Sequence, residues 1–263
     1  MTHSQRKPRG QSEIVVFGRR AVLEALAAPT VEMLGVRASD RVPKPIRAEL
    51  NAAVTSASDD CAIEWTSAAR VAEWSREPRH DQGVAARIRL LQVMPIDEFL
   101  GSLTGHGARR PARVVAFDNV TNPQNIGLVV RSAVAFGFSA VLWPTRGCPW
   151  IEGLVVKASA STVLRARLLP CETLPDGLTE LAAGGFRSVG LAADAGQSLA
   201  EFEAHHRQAL VLGSETKGLS AEVVDRLDAL VRIDMSPGIE SLNVAASAAV
   251  ACYALGETSA QIA

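Results

Sequence analysis

From residue 114 to the end of the chain one pattern repeats: a short apolar run, a polar turn, then an amphipathic stretch. Val114-Val115-Ala116-Phe117 is apolar without alternation, as expected of a strand covered on both faces inside a parallel sheet. Runs at 140–143, 186–191, 209–212 and 229–233 read as further strands. Helical patterns fall between them at 126–136, 174–183, 221–227 and 242–255. Such alternation implies an α/β fold with a doubly wound, mostly parallel sheet, whose ligands lie beyond the carboxyl ends of the strands. The loops that follow strands are where chemistry is expected.

The chain before this region is organised differently. A basic tail at 1–12 precedes a helix at 19–26 that Pro29 stops, a strand at 31–36, a helix at 46–54, a strand at 62–65, a helix at 68–74 and a strand at 84–93. These make a small α/β domain over 13–100. The segment 101–111, GSLTGHGARRP, has linker composition, and a second domain follows at 112–263. A length of 263 residues fits two domains.

Composition removes several classes. With 48% hydrophobic and 21% charged residues the chain is neither disordered nor of low complexity. Its longest uncharged apolar stretch, 242–255, falls short of the ~18 residues of a membrane helix and contains Asn243 and Ser247, so no membrane partner is expected. The N-terminus lacks the apolar core of a signal peptide. Cys61, Cys148, Cys171 and Cys252 show neither CxxC nor zinc spacing, which points to a reducing cytoplasm and no metal. Residues 1–113 carry 17 basic and 13 acidic side chains against 10 and 15 in 114–263, so the first part is the basic one. Arginine outnumbers lysine 23 to 4, which suits phosphate and base recognition and is equally the mark of a GC-rich genome.

Three of the loops after strands are unusual. The first runs from Asp118 to Gly127 and holds Asn119, Asn122 and Asn125 before a helix whose only charge is Arg131. A guanidinium in that apolar helix either pairs internally or faces a polar cleft, and the cleft is the expectation. The second loop, Leu212-Gly213-Ser214-Glu215-Thr216-Lys217-Gly218-Leu219-Ser220, has two glycines that permit positive φ or close backbone approach, with Ser220 placed to cap the next helix. It fits neither a P-loop nor, with the rest of the chain, a GxGxxG fingerprint. The third loop leads from Ile233 through Ser241, Leu242 and Asn243 into a helix with alanine at 245, 246, 248, 249, 251 and 254. Ser241 and Asn243 can serve as plain caps, and the alanines imply close packing, at a subunit interface or within the chain.

Taken together, residues 122–133 (NPQNIGLVVRSA), Leu212-Gly213-Ser214-Glu215 and Ser241-Leu242-Asn243-Val244 resemble the three ordered motifs of the SpoU (TrmH-type) RNA 2′-O-methyltransferases, within the SPOUT superfamily. Lys157-Ala158-Ser159-Ala160 also resembles a family segment, although Ser161 stands where the family often has glycine and Ala245-Ala246-Ser247 replaces a Ser-Val-Ala run. Phe17-Gly18-Arg19-Arg20-Ala21-Val22-Leu23-Glu24-Ala25-Leu26 with Gln82-Gly83-Val84 resembles the small L30e-like RNA-binding domain that precedes the catalytic domain in ribosomal RNA members.

The resemblance implies a SPOUT-type sheet closed by a C-terminal deep trefoil knot, an exception to the rule against threaded chains. It implies S-adenosylmethionine held by backbone around Gly213, Ile233 and Leu242, and a catalytic site built from Asn125, Arg131, Glu215, Ser241 and Asn243. The implied enzyme is a cytoplasmic homodimer with its active site at the interface. It methylates a ribose 2′-hydroxyl of structured RNA, most often ribosomal RNA, without a metal. A tRNA substrate, or a non-catalytic RNA-binding protein that retains the fold, is the competing expectation.

Overall fold

The computed structural model describes residues 12–57, 61–104, 111–239 and 241–256. In chain order the elements are β1 (Glu13–Phe17), α1 (Arg19–Ala27), β2 (Val31–Ser39), α2 (Lys44–Ala57), β3 (Ile63–Thr66), α3 (Ala68–Ser75), β4 (Val84–Leu90) and α4 (Ile96–Ser102). They continue with β5 (Ala112–Asp118), α5 (Pro123–Ala135), β6 (Ala140–Pro144), α6 (Gly153–Ala158), β7 (Arg167–Cys171), α7 (Leu174–Ala183), β8 (Arg187–Leu191) and β9 (Gln197–Ser198). The last four are β10 (Arg207–Gly213), α8 (Ala221–Val224), β11 (Ala229–Arg232) and α9 (Val244–Leu255). Two compact units result: Met1–Gln92 with Ile151–Arg165, and Val93–Trp150 with Ala166–Ala263.

The first unit is built on a four-stranded sheet in the order β1-β4-β2-β3, with β4 antiparallel to both neighbours and β3 parallel to β2. Phe17, Val71 and Ala85 pack with Trp74 and Leu154, so a helix from much later in the chain completes this core. That helix, α6, can lie against β1 because it starts at Gly153: a Cβ there would fall 2.2 Å from the Phe17 ring. Just beyond it Ser161 has φ +66°, a left-handed conformation that favours glycine, the residue the resemblance leads one to expect there.

The second unit is a seven-stranded sheet in the order β7-β6-β5-β10-β8-β11-β9, parallel at every pairing. Strand β5 is buried at all seven positions, which its unbroken apolar run requires. One face packs Val114, Ala116, Leu142 and Val211 against Leu174, Leu178 and Leu181 of α7, with Ile96 and Phe99 of α4 in the same core. The boundary between units therefore falls at Gln92–Val93. Residues 101–104 of the expected linker continue or close α4, whereas 105–110 lie outside the described residues, as do 1–11 of the expected basic tail.

Candidate active site

Strands β5 and β10 are neighbours in register, with Asp118 opposite Gly213, so the first two loops leave the sheet side by side. The Asp118 carboxylate, 3% exposed, accepts the Asn119 side-chain amide at 2.7 Å and the Ser220 backbone N–H at 2.5 Å, which ties the start of one loop to the end of the other. Ser220 makes no side-chain cap to α8, contrary to expectation. Asn122 does cap α5, accepting from Gln124 N at 2.9 Å ahead of Pro123.

Within the second loop, Ser214 and Gly218 exchange backbone bonds of 3.0 and 2.9 Å, and Lys217 N donates to Ser214 Oγ at 3.2 Å. This closure brings Gly218 onto Gly213: a Cβ on Gly213 would stand 2.3 Å from the Gly218 carbonyl carbon. Beneath the first loop, Cys148 is buried, and that burial pushes its thiol up to about 11.

The third loop ends at Asn243, whose Oδ1 accepts from Ala245 N at 2.9 Å and so starts α9 two residues later than the apolar pattern suggested. Its amide group reaches across to Asn125 Oδ1 at 3.4 Å, and Asn125 Nδ2 donates to the Glu215 carboxylate. One polar side chain from each of the three loops thus joins a single chain of bonds, Asn243 to Asn125 to Glu215.

Beside this relay lies a cavity of about 520 Å³. Gly213, Glu215, Ile233, Ser241 and Leu242 line it, together with Leu191, Leu219, Leu230 and Val244. Arg131 does not. It is exposed on α5 and borders a separate depression with Ser132 and Asn243, where Leu128, Ala135 and Phe136 make the surroundings more apolar than the polar cleft expected. Neither an ion pair nor a hydrogen bond holds its guanidinium among the described residues. Leu191 at the end of β8 and residues 192–194 after it also face the cavity, and no spacing in the sequence pointed to them.

Two of the loops thus line the cavity and the first joins them through Asn125. The SpoU rRNA methylase family model matches residues 112–253. The chain belongs to that family. A tRNA/rRNA methyltransferase of Mycobacterium sp. (strain KMS), itself named as uncharacterized, is 31% identical over 253 residues, covering 94% of this chain and 77% of its own. Among solved structures, the SpoU methyltransferase AviRb from Streptomyces viridochromogenes in complex with AdoMet superposes with a TM-score of 0.74 at 22% identity, over 93% of this chain and 89% of that one. A structure named as an RNA 2′-O ribose methyltransferase gives 0.67 at 24% identity, over 94% and 88%. At these identities the structural matches establish the fold. The SpoU assignment makes the chain an RNA methyltransferase.

Proposed function

We propose that this SpoU enzyme uses S-adenosylmethionine to methylate a ribose 2′-hydroxyl in ribosomal RNA. The observation that carries the reading is the 520 Å³ cavity set directly against the Asn243–Asn125–Glu215 relay. A volume of a few hundred Å³ suits a cofactor-sized ligand. Leu191, Leu230, Ile233 and Val244 offer apolar walls to a flat base, and backbone at Gly213, Ile233 and Leu242 would hold its polar edge. One structural neighbour is crystallised with AdoMet. When bound, the donor supplies an activated sulfonium methyl for in-line displacement.

The chain's own groups then have to hold the acceptor in line, an effect worth several kcal/mol. Ser241 and Asn243 orient ribose or donor, while Asn125 and Glu215 keep the loops in mutual register. Arg131 binds the target phosphate and stabilises the developing alkoxide, and the proton passes to phosphate or water, because a guanidinium does not act as a neutral base. That Arg131 stands outside its own chain's cavity supports an active site completed between two copies. Helices α5 and α9 leave Leu128 41%, Val250 43% and Tyr253 65% exposed, apolar side chains suited to isologous pairing.

RNA is the substrate that offers the acceptor hydroxyl. Docking of its backbone falls to the first unit, read as an L30e-like domain. Its loops at 18–20, 39–44 and 76–83 converge: Gly18 N donates to Val84 O, Ser39 N to Gly83 O, and Arg19 N to Gln82 Oε1. Arg41, Arg76 and Arg79 on these loops and Lys44 at the start of α2 are exposed and make no ion pair among the described residues, whereas Arg37 and Arg89 on the sheet and Arg70 on α3 are paired with glutamates. Four free thiols fit a reducing cytoplasm.

The test is transfer of radiolabelled methyl from S-adenosylmethionine to unmodified ribosomal RNA and tRNA, followed by alkaline hydrolysis. Label in alkali-resistant dinucleotides of ribosomal RNA is the expected result. Label in mononucleotides would mean base methylation and would overturn the ribose reading. Label confined to tRNA would overturn the substrate.

A further inference from the structure

The cavity draws its walls from the segments that follow three strands, β8, β10 and β11, and the first of them has so far been given no role. Strand β8 lies between β10 and β11, so its carboxyl end opens between Gly213 and Ile233. The turn that leaves it is firmly braced. Ala192 N donates to Val231 O at 3.0 Å and Ala195 N to Ala192 O at 3.2 Å. The Arg232 guanidinium, paired with Asp234 at 3.0 Å, donates to the carbonyls of Ala195 and Gly196 at 2.9 and 2.6 Å. Asp194 sits inside this clamp and lines the cavity, exposed and without a hydrogen bond or ion pair among the described residues. The other carboxylate of the cavity, Glu215, is already engaged by Asn125.

An ionised carboxylate only accepts, so it is matched to a neighbour that presents donors, and a vicinal ribose diol presents two. Acidic residues beyond the carboxyl end of a parallel strand hold ribose hydroxyls in other nucleotide-binding sheets for this reason. On the reading of the cavity as the S-adenosylmethionine site, we infer that Asp194 accepts the ribose hydroxyls of the donor's own nucleoside. It is then a specificity-determining residue, selecting ribonucleoside donors over deoxy analogues. Arg232 acts only through the turn and is a positioning residue.

The donor's ammonium is the rival partner for the same carboxylate, and two ligands separate them. S-adenosylhomocysteine and 5′-methylthioadenosine, which lacks the amino-acid portion, are titrated calorimetrically into the full chain and into the D194A and D194N variants. Loss of a bond to a charged group predicts at least about tenfold weaker binding of both ligands to D194A, by the same factor, with D194N falling in between. Melting temperatures should stay together because the side chain is exposed. Weakening of S-adenosylhomocysteine alone would move Asp194 to the ammonium and overturn the inference, as would unchanged affinity for both. A wild-type chain that binds neither ligand would overturn the donor site itself.

Discussion

Gly213 and Gly218 show what a residue type can and cannot tell. In sequence, each permits either a positive φ or a close backbone approach. In the structure the two uses are divided: Gly218 takes φ +65°, and Gly213 is the one overlaid by Gly218 and Leu219. Because the atoms in the way are backbone, G213A must displace the loop that carries Glu215. Overpacking of this kind costs about 1–3 kcal/mol, so a lower melting temperature and a loss of S-adenosylhomocysteine affinity of tenfold or more are expected together. Wild-type melting and binding in G213A would contradict the packing described. Asp118 shows the opposite limit. Its place at a strand end was plain, but its bond to Ser220 spans 102 positions and left no local trace.

Among the elements, legibility followed length and pattern. Strands β5 and β10 declared themselves by unbroken apolar runs, and α7 by a clear amphipathic period capped by Thr173. Strand β7 was hidden because Arg167 and Pro170 interrupt its five residues, and α6 because six residues give too little period to read. The alanines of α9 imply close packing. Ala248 and Ala251 are indeed fully buried, and Tyr253 meets Phe136 at the end of α5 edge to face at 5.5 Å.

What fixes the far end of α9 is Arg113, 7% exposed, which donates to Leu255 O at 2.7 Å, His205 O at 2.8 Å and His206 O at 3.0 Å. R113M would leave these carbonyls short of a donor at a cost of about 2–4 kcal/mol. The expected fall in melting temperature is about 5–10 °C, followed by circular dichroism. An unchanged melt would show that α9 is held by its packing alone.

At the scale of the whole molecule, two units were foreseeable from the change of pattern and of charge near residue 113, whereas their boundary was not. Residues 151–165 return to the first unit after the second has begun, and no composition signal marks such an excursion. Strand order is equally silent in sequence. Placing β10 beside β5, and β8 between β10 and β11, makes neighbours of loops nearly a hundred residues apart. Motif spacing named the first and third of the loops that matter together with the second, but passed over the turn after β8 because its distinction is purely positional. Convergence on one donor-binding cavity is the central claim, and it has a direct thermodynamic test. Calorimetric titration of the full chain with S-adenosylhomocysteine should find one site per chain, and I233E, which sets a charge in the cavity wall, should abolish binding while the chain still melts cooperatively. Absence of any binding heat in the wild type, or affinity unchanged by I233E, would contradict it.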